Sequence, residues 1–517
     1  MIAYLLAVTL LAAPYDVMIR NGRIVDGSGN AWFRGDVAIA GDTIVAIAPR
    51  IEGEAKRIVD ANGSVVAPGF IDLHTHARRG IFDVPTADNY ILQGVTTIFE
   101  GPDGSSPLPI GEFLASVEKK GVAPNFATFV GHGSVREKVM GSVDRAATPA
   151  ELEQMRSLVR DAMKEGAFGL STGLFYVPGN FASTEEVIAL AKVAGEYGGH
   201  HTSHMRDEAA KVTDSVRETI RIGEEGHLPT QVTHHKVAGV RNWGRSVDTL
   251  KLIDEARARG VDVTSDQYPY TASKTSLTAL FPRWALEGGR EKMLERLNDP
   301  PTRARIRDAV IENIKFDRGG GDPKNVQIAS APHEPSLAGK TLADILRARG
   351  VAPSIGSGAD LAMELIAKSN VGAIFHTMNE EDVVRILRHP ATMIASDGEV
   401  PIFGQDAPHP RSYGTFARVL GVYVREKKVL SLEDAVRKMS SFPAARAGLH
   451  DRGLLRPGMK ADVVVFDPNR IIDKATFTQP HAYAEGVSHV LVNGVFVVDN
   501  AKVTKATPGK VLRMRNE

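Results

Sequence analysis

Apolar residues follow two different rhythms along this chain. From residue 16 to 66 they come in short strand-like runs cut by polar pairs. Val17-Met18-Ile19 leads to Asn21-Gly22 and then Ile24-Val25, and Gly35–Asp42 and residues 44–47 continue the theme. Asn-Gly between two apolar runs favours a two-residue hairpin, so a turn is expected at Asn21-Gly22. The far end reads alike, with Val463-Val464-Val465-Phe466 and then residues 489–497. Two β-rich ends around a long middle predict one small β-sandwich built from residues 14–66 and 455–517.

The middle, residues 67–454, alternates apolar strands with helical stretches, the pattern of βα units on a parallel sheet. Candidate strands lie at 65–72, 96–100, 126–131, 167–171, 200–204, 230–234, 262–266 and 393–397. Eight strands close a (β/α)8 TIM-type barrel, whose active site lies at the C-terminal strand ends. The chain is therefore expected to be α/β, with the barrel carrying the chemistry. The spacing breaks before the last strand, where residues 281–390 are too long for one crossover helix. An inserted lid or cap is expected there.

Composition narrows the function. The 517 residues carry 62 Lys plus Arg against 62 Asp plus Glu, so no net charge draws the protein to nucleic acid. With no cysteine, disulfides, thiolate nucleophiles and thiolate metal ligands are excluded. The apolar run 2–13, ending in Leu-Ala-Ala before Pro14, suits the core of a signal peptide and is too short to span a membrane. Export is the expectation, and a first strand in a cytoplasmic protein is the competing reading.

The candidate chemistry sits where the predicted strands end. His74 and His76 are alternate residues of an extended run and share a face, which gives half of a metal site. The second strand runs out into two acids, Glu100 and Asp103, either able to bind a divalent cation. His204 closes His200-His201-Thr202-Ser203-His204. His234 and His235 are adjacent and must point apart, so at most one is a ligand. Asp266 ends the next strand, and Ala395-Ser396-Asp397-Gly398 ends the last. Nitrogen and oxygen donors without sulfur suit Zn2+, or else Mn2+, Co2+ or Ni2+, as one ion or two. A metal-activated water beside a carboxylate such as Asp397 points to hydrolysis at a polarised carbonyl.

These strand-end residues resemble the amidohydrolase superfamily. Three phrases, Ser203-His204-Met205-Arg206-Asp207-Glu208, Thr233-His234-His235-Lys236 and Asp266-Gln267-Tyr268-Pro269-Tyr270, resemble the N-acyl-D-amino-acid deacylase (D-aminoacylase) family in particular. The resemblance implies metal ligands at His74, His76, His204 and His234, with Asp397 as ligand and acid–base. It also implies a substrate-carboxylate set of Lys236, Tyr268 and Arg411, joined by Arg206. Family members place a cysteine in a Gly-Asn-Cys-Gly turn after the second strand. Here Gly101-Pro102-Asp103-Gly104 stands in its place, making Asp103 the first candidate for the replacement ligand and Glu100 the second.

The implied reaction is hydrolysis of an N-acyl-D-amino acid to a carboxylate and a free amino acid. The expected partner is thus a small molecule, an N-acyl amino acid or a dipeptide, with no nucleic acid and no membrane span. Two other readings compete. A dipeptidase or other linear-amide hydrolase would use the same barrel. A catalytically silent barrel used for binding or assembly would be expected to have lost ligands, and every ligand position here keeps a competent residue. Cyclic amidases of the hydantoinase kind often carry a modified lysine on the fourth strand, which Gly169-Leu170-Ser171-Thr172-Gly173 lacks.

Overall fold

The computed structural model describes residues 15–514. The expected signal peptide, residues 1–13, lies outside them. Strands from both chain ends pair within one nine-stranded sheet. Its path runs Lys502–Val503, Val495–Asp499, Val487–Val492, Val463–Phe466, Val65–Pro68, Tyr15–Ile24, Phe33–Ala40 and Thr43–Ala48, with Ala55–Asp60 also on Tyr15–Ile24. Ile19, Val37, Ile39, Ile44, Val463, Val465 and Leu491 fill one buried face.

Asn21-Gly22 is not the expected hairpin turn. Tyr15–Ile24 is one continuous strand, and its register against Phe33–Ala40 shifts between Ile19 and Gly22. Asn21 is left-handed at φ 57, its N–H donating to Asp36 Oδ1 at 2.9 Å, so the extra residue is absorbed as a bulge. An Asn-Gly hairpin turn lies instead near the other end of the chain. Asn493 (φ 49) and Gly494 (φ 79) split the single run expected at 489–497 into Val487–Val492 and Val495–Asp499.

The middle of the chain supplies the parallel strands. Phe70–Asp72, Val95–Glu100 and Asn125–Thr128 form one group. Val130–Gly131, Gly169–Gly173, His200–His204, Thr230–Val232, Val263–Gln267 and Thr392–Ile394 form the next. Gly398–Glu399 then pairs in parallel with Thr75–His76, so the last strand of the series meets the first. Amphipathic helices such as Pro149–Lys164, Thr184–Glu196, Val212–Gly226 and Ser246–Ala258 lie between these strands in the chain. Among the described residues no helix is long and apolar enough to cross a membrane.

The inserted region has a core of its own, running from Leu277 to Phe375. It is organised on an antiparallel sheet of Ser273–Ser276, Gly372–Phe375 and Val326–Ser330. Its limits differ from the expected 281–390 at both ends. Ser273–Ser276 is too polar to be read as a strand from its pattern. Glu380–Arg388 packs against Ser246–Ala258 and Thr392–Ile394, which makes it part of the outer helical layer instead.

Candidate metal centre

The first and last parallel strands are locked together beneath the site. The fully buried Asp72 carboxylate accepts the backbone N–H of His74 at 3.1 Å and of Ser396 at 3.0 Å. Burial pushes its pKa up to about 7, with the two backbone donors pulling the other way. The Asp397 N–H donates to the His74 carbonyl at 2.9 Å. The residues that follow are thereby forced into one place. His76 Nε2 lies 3.1 Å from Asp397 Oδ1, and His74 Nε2 lies 3.5 Å from the same oxygen.

Three of the site residues leave their strands through left-handed backbone: Asp103 (φ 59), His234 (φ 37) and Asp397 (φ 52). Each departure has a fastener. The His234 N–H donates to Asp266 Oδ1 at 2.7 Å, so Asp266 supports the site from the neighbouring strand. Gly101 (φ 89) and Gly104 (φ 74) flank Asp103. A Cβ on Gly104 would come within 2.5 Å of Gly173 N, so only glycine lets this turn lie against Gly169–Gly173.

Asp103 is the meeting point. Its Oδ1 is 3.4 Å from both His74 Nε2 and His234 Nε2, and its Oδ2 is 3.5 Å from both His76 Nε2 and His204 Nδ1. Two overlapping donor groups result: His74, His76, Asp103 and Asp397, and Asp103, His204 and His234. His74 Nδ1 and Nε2, Asp103 Oδ1 and His204 Nε2 are buried without a hydrogen-bond partner. Buried polar atoms rarely stay unsatisfied, and His74 Nε2 and Asp103 Oδ1, 3.4 Å apart within the donor groups, fit a divalent cation between them.

The electrostatics separate the two acids from their surroundings. Burial opposes ionisation of Asp397, but the Arg411 guanidinium, with Nη1 at 2.8 Å from Oδ2, and His74 hold it well below the usual carboxylate range. Asp103 is likewise held down against burial, by His74, His234 and His204. Among the histidines, burial lowers His204 to about 4. Burial and Lys236 also oppose protonation of His234, yet Asp103 and Glu208 outweigh them and raise it to about 9.

The expected carboxylate-binding residues divide. Arg411, Lys236 and Tyr268 are buried together around Asp397 and His234. Arg411 stacks on the Tyr268 ring at 4.6 Å, and Lys236 Nζ lies 5.7 Å from the same ring. Lys236 Nζ is also 2.6 Å from both His234 Nδ1 and Glu208 Oε1. Arg206 does not join them. Its guanidinium is taken by Glu218 at 2.7–3.2 Å and by the carbonyls of Asn180 and Ala182. Glu100 is also outside the donor groups, with Oε2 accepting the Arg78 N–H at 2.9 Å and Oε1 3.4 Å from Arg78 Nε.

Sequence reasoning missed two residues. Glu208 is buried between Lys236, His234 and Arg318, and its place four residues after His204 was a usable signal. Arg318 comes from the inserted region, and nothing in the sequence tied it to the site. A cavity of about 1140 Å³ opens above the centre, lined among others by His76, Asp103, Tyr176, Lys274, Glu399 and Arg411.

Similarity to known proteins extends over nearly the whole chain. The sequence profile of the amidohydrolase family matches residues 57–498. The chain belongs to the amidohydrolase family. It is 37% identical to a D-aminoacylase of Alcaligenes xylosoxydans xylosoxydans over 96% of this chain and 98% of that protein. It is 38% identical to an N-acyl-D-glutamate deacylase of the same organism, over 96% of each. The α/β fold matches a crystal structure of N-acyl-D-glutamate deacylase from Bordetella bronchiseptica, complexed with zinc and a phosphonate inhibitor. That match has a TM-score of 0.82 at 35% identity, covering 97% of this chain and 100% of the other. A likeness to L-hydantoinase from Arthrobacter aurescens, with a TM-score of 0.53 at 17% identity, concerns the fold alone.

Proposed function

We propose that this amidohydrolase hydrolyses the amide bond of N-acyl-D-amino acids, using one or two divalent cations with zinc foremost, and releases a carboxylate and a free amino acid. The observation that carries the reading is the convergence of His74, His76, His204, His234 and Asp397 on Asp103, with buried donor atoms left unpartnered. Full-length similarity to D-aminoacylase and to the D-glutamate and D-aspartate deacylases supports the substrate class. On this reading the parallel strands close as a (β/α)8 barrel. The sheet made from both chain ends is its sandwich-like companion, and the inserted region is a cap over the cavity.

The six donor residues would hold the metal, which when bound supplies Lewis-acid polarisation of the amide carbonyl and of water. Asp397 does the proton work. Arg411 keeps it ionised, so it can take a proton from water and deliver it to the departing amide nitrogen. Arg411, Lys236 and Tyr268 provide two cations and a phenol for the substrate's α-carboxylate, with the planar guanidinium suited to binding both oxygens. Holding the carboxylate there sets the scissile bond over the donor cluster. Arg206 and Glu100 are given no role in this scheme.

The test is release of acetate from paired N-acetyl-D- and N-acetyl-L-amino acids, run beside dipeptides with zinc supplied. D-selective release supports the reading. Turnover of dipeptides or L-substrates alone replaces it with a dipeptidase or another linear-amide hydrolase. No turnover of any of them contradicts it.

A further inference from the structure

We propose that Arg318, carried by the inserted region, is a positioning residue for the metal centre and acts through Glu208. The inference rests on the reading of His204 and His234 as metal-holding residues. Glu208 is fully buried, with Oε1 2.6 Å from Lys236 Nζ and 3.1 Å from His234 Nδ1. Its Oε2 is 3.2 Å from an Arg318 Nη2 and 3.8 Å from His204 Nε2. One carboxylate thus reaches His234 Nδ1, the ring nitrogen that does not face Asp103, and stands 3.8 Å from His204 Nε2 without bonding it. A partner at that position fixes a histidine's ring orientation and tautomer.

Glu208 in turn needs two cations. Lys236 alone would draw the carboxylate toward one side, and Arg318 occupies the opposite oxygen. Arg318 is itself nearly inaccessible and stacks at 4.5 Å on Phe175, whose ring lies 5.7 Å from that of His204. The segment that bears it is shaped for this reach. Gly320 (φ 55) and Gly321 (φ 85) are left-handed, and a Cβ on Gly319 would come within 2.4 Å of the Ile314 carbonyl. The loop that follows His234 is pinned beside Glu208 and to the chain just past the inserted region. The Ala238 N–H donates to the Glu208 carbonyl at 2.8 Å and the Gly239 N–H to the Thr377 carbonyl at 3.0 Å. The inserted region therefore does more than roof the cavity: it contributes a charge on which the geometry of His234 depends.

The experiment is zinc affinity by chelator competition on the full chain, with kcat and KM measured alongside. Arg318→Met should weaken zinc binding by roughly 10- to 100-fold. Arg318→Lys should recover most of that loss. Added to Glu208→Gln, Arg318→Met should cost nothing further, because its pathway is already cut. Arg307→Met, which breaks an exposed pair with Asp360 in the same region, should bind zinc as the native chain does. Arg318→Gln serves in the same cycle if the methionine variant does not fold. Native zinc affinity in Arg318→Met, additive losses in the double variant, or an equal loss in Arg307→Met would each overturn the proposal. Zinc binding needs no substrate, so a chain that binds zinc without deacylase turnover defeats the proposed function and leaves this inference standing.

Discussion

Left-handed backbone occurs in two regions of this molecule for different purposes. In the sheet made from the chain ends it falls on Asn21, Asn62, Asn493 and Asn500, whose short polar side chains tolerate that conformation, and on Ala501 in the same turn as Asn500. There it bends or turns the backbone, as the bulge at Asn21 and the hairpin at Asn493 illustrate. At the metal centre it falls on Asp103, His234 and Asp397. There it swings a side chain off a strand end toward a point shared with residues from other strands. Strain of this kind, on the order of 1–3 kcal/mol per residue, persists only where the surroundings impose it. Asp72, Asp266 and the Gly101–Gly104 turn impose it here. In the first region the conformation serves the fold, and in the second the fold serves the conformation.

The sharpest way to break that comparison is to keep the site's backbone and change its chemistry. Asp397→Asn retains the shape and the tolerance of left-handed φ but removes the base. It should lower kcat by about 10²- to 10⁴-fold, and it should also lower the unfolding midpoint, because the buried Arg411 guanidinium loses its charge partner. Activity within a few fold of native would remove Asp397 from the proton-transfer role.

A smaller effect separates the buried histidines of the strand from those of the site. His201 donates no atom to the centre and bonds Thr172 and Thr230 hydroxyls at 2.9 and 2.8 Å. Burial depresses it to about 3. With a folded pKa below the unfolded value, its contribution is present above about pH 6.5 and is lost as pH falls, because the unfolded chain binds the extra proton. From pH 6.5 to pH 5 that is roughly 2 kcal/mol. Denaturant unfolding of metal-free protein at pH 7 and pH 5 should therefore show a shallower acid loss in His201→Gln than in the native chain. An unchanged pH dependence would contradict the assignment.

The terminal sheet should give the smallest effects. Asn493→Ala places a Cβ-bearing residue without a polar tip in the hairpin and removes bonds to Asn125 and the Pro508 carbonyl. A loss of about 1–3 kcal/mol is expected in the unfolding free energy, with kcat unchanged. Asn21→Gly keeps the bulge conformation at an exposed position and should stay within about 0.5 kcal/mol of native. A larger loss for Asn21→Gly than for Asn493→Ala would reverse the roles given to Asn21-Gly22 and Asn493-Gly494.

What the sequence revealed followed from periodicity and position. Strand alternation put His74 beside His76, and the strand-end rule placed His204, His234 and Asp397 in one neighbourhood. Both hold because the parallel sheet repeats one simple geometry. The failures lie where a competing partner is distant in sequence. Glu100 stayed in play behind Asp103 as a ligand, and only the folded chain shows Arg78 engaging it. Arg206 sits two residues from His204, but Glu218 on the following helix binds it first. Asn-Gly encodes a left-handed step, and whether that step is a turn or a bulge depends on which strand lies alongside. Arg318 reaches Glu208 across a sequence separation of 110, a pairing no local pattern records.

The central claim is that Asp103 is the carboxylate on which the centre is built. The most direct measurement is bound zinc per chain after dialysis, on native protein, Asp103→Ala and Glu100→Ala prepared in parallel. The account predicts that Asp103→Ala loses zinc while Glu100→Ala retains the native content. Zinc kept by Asp103→Ala and lost by Glu100→Ala would contradict it.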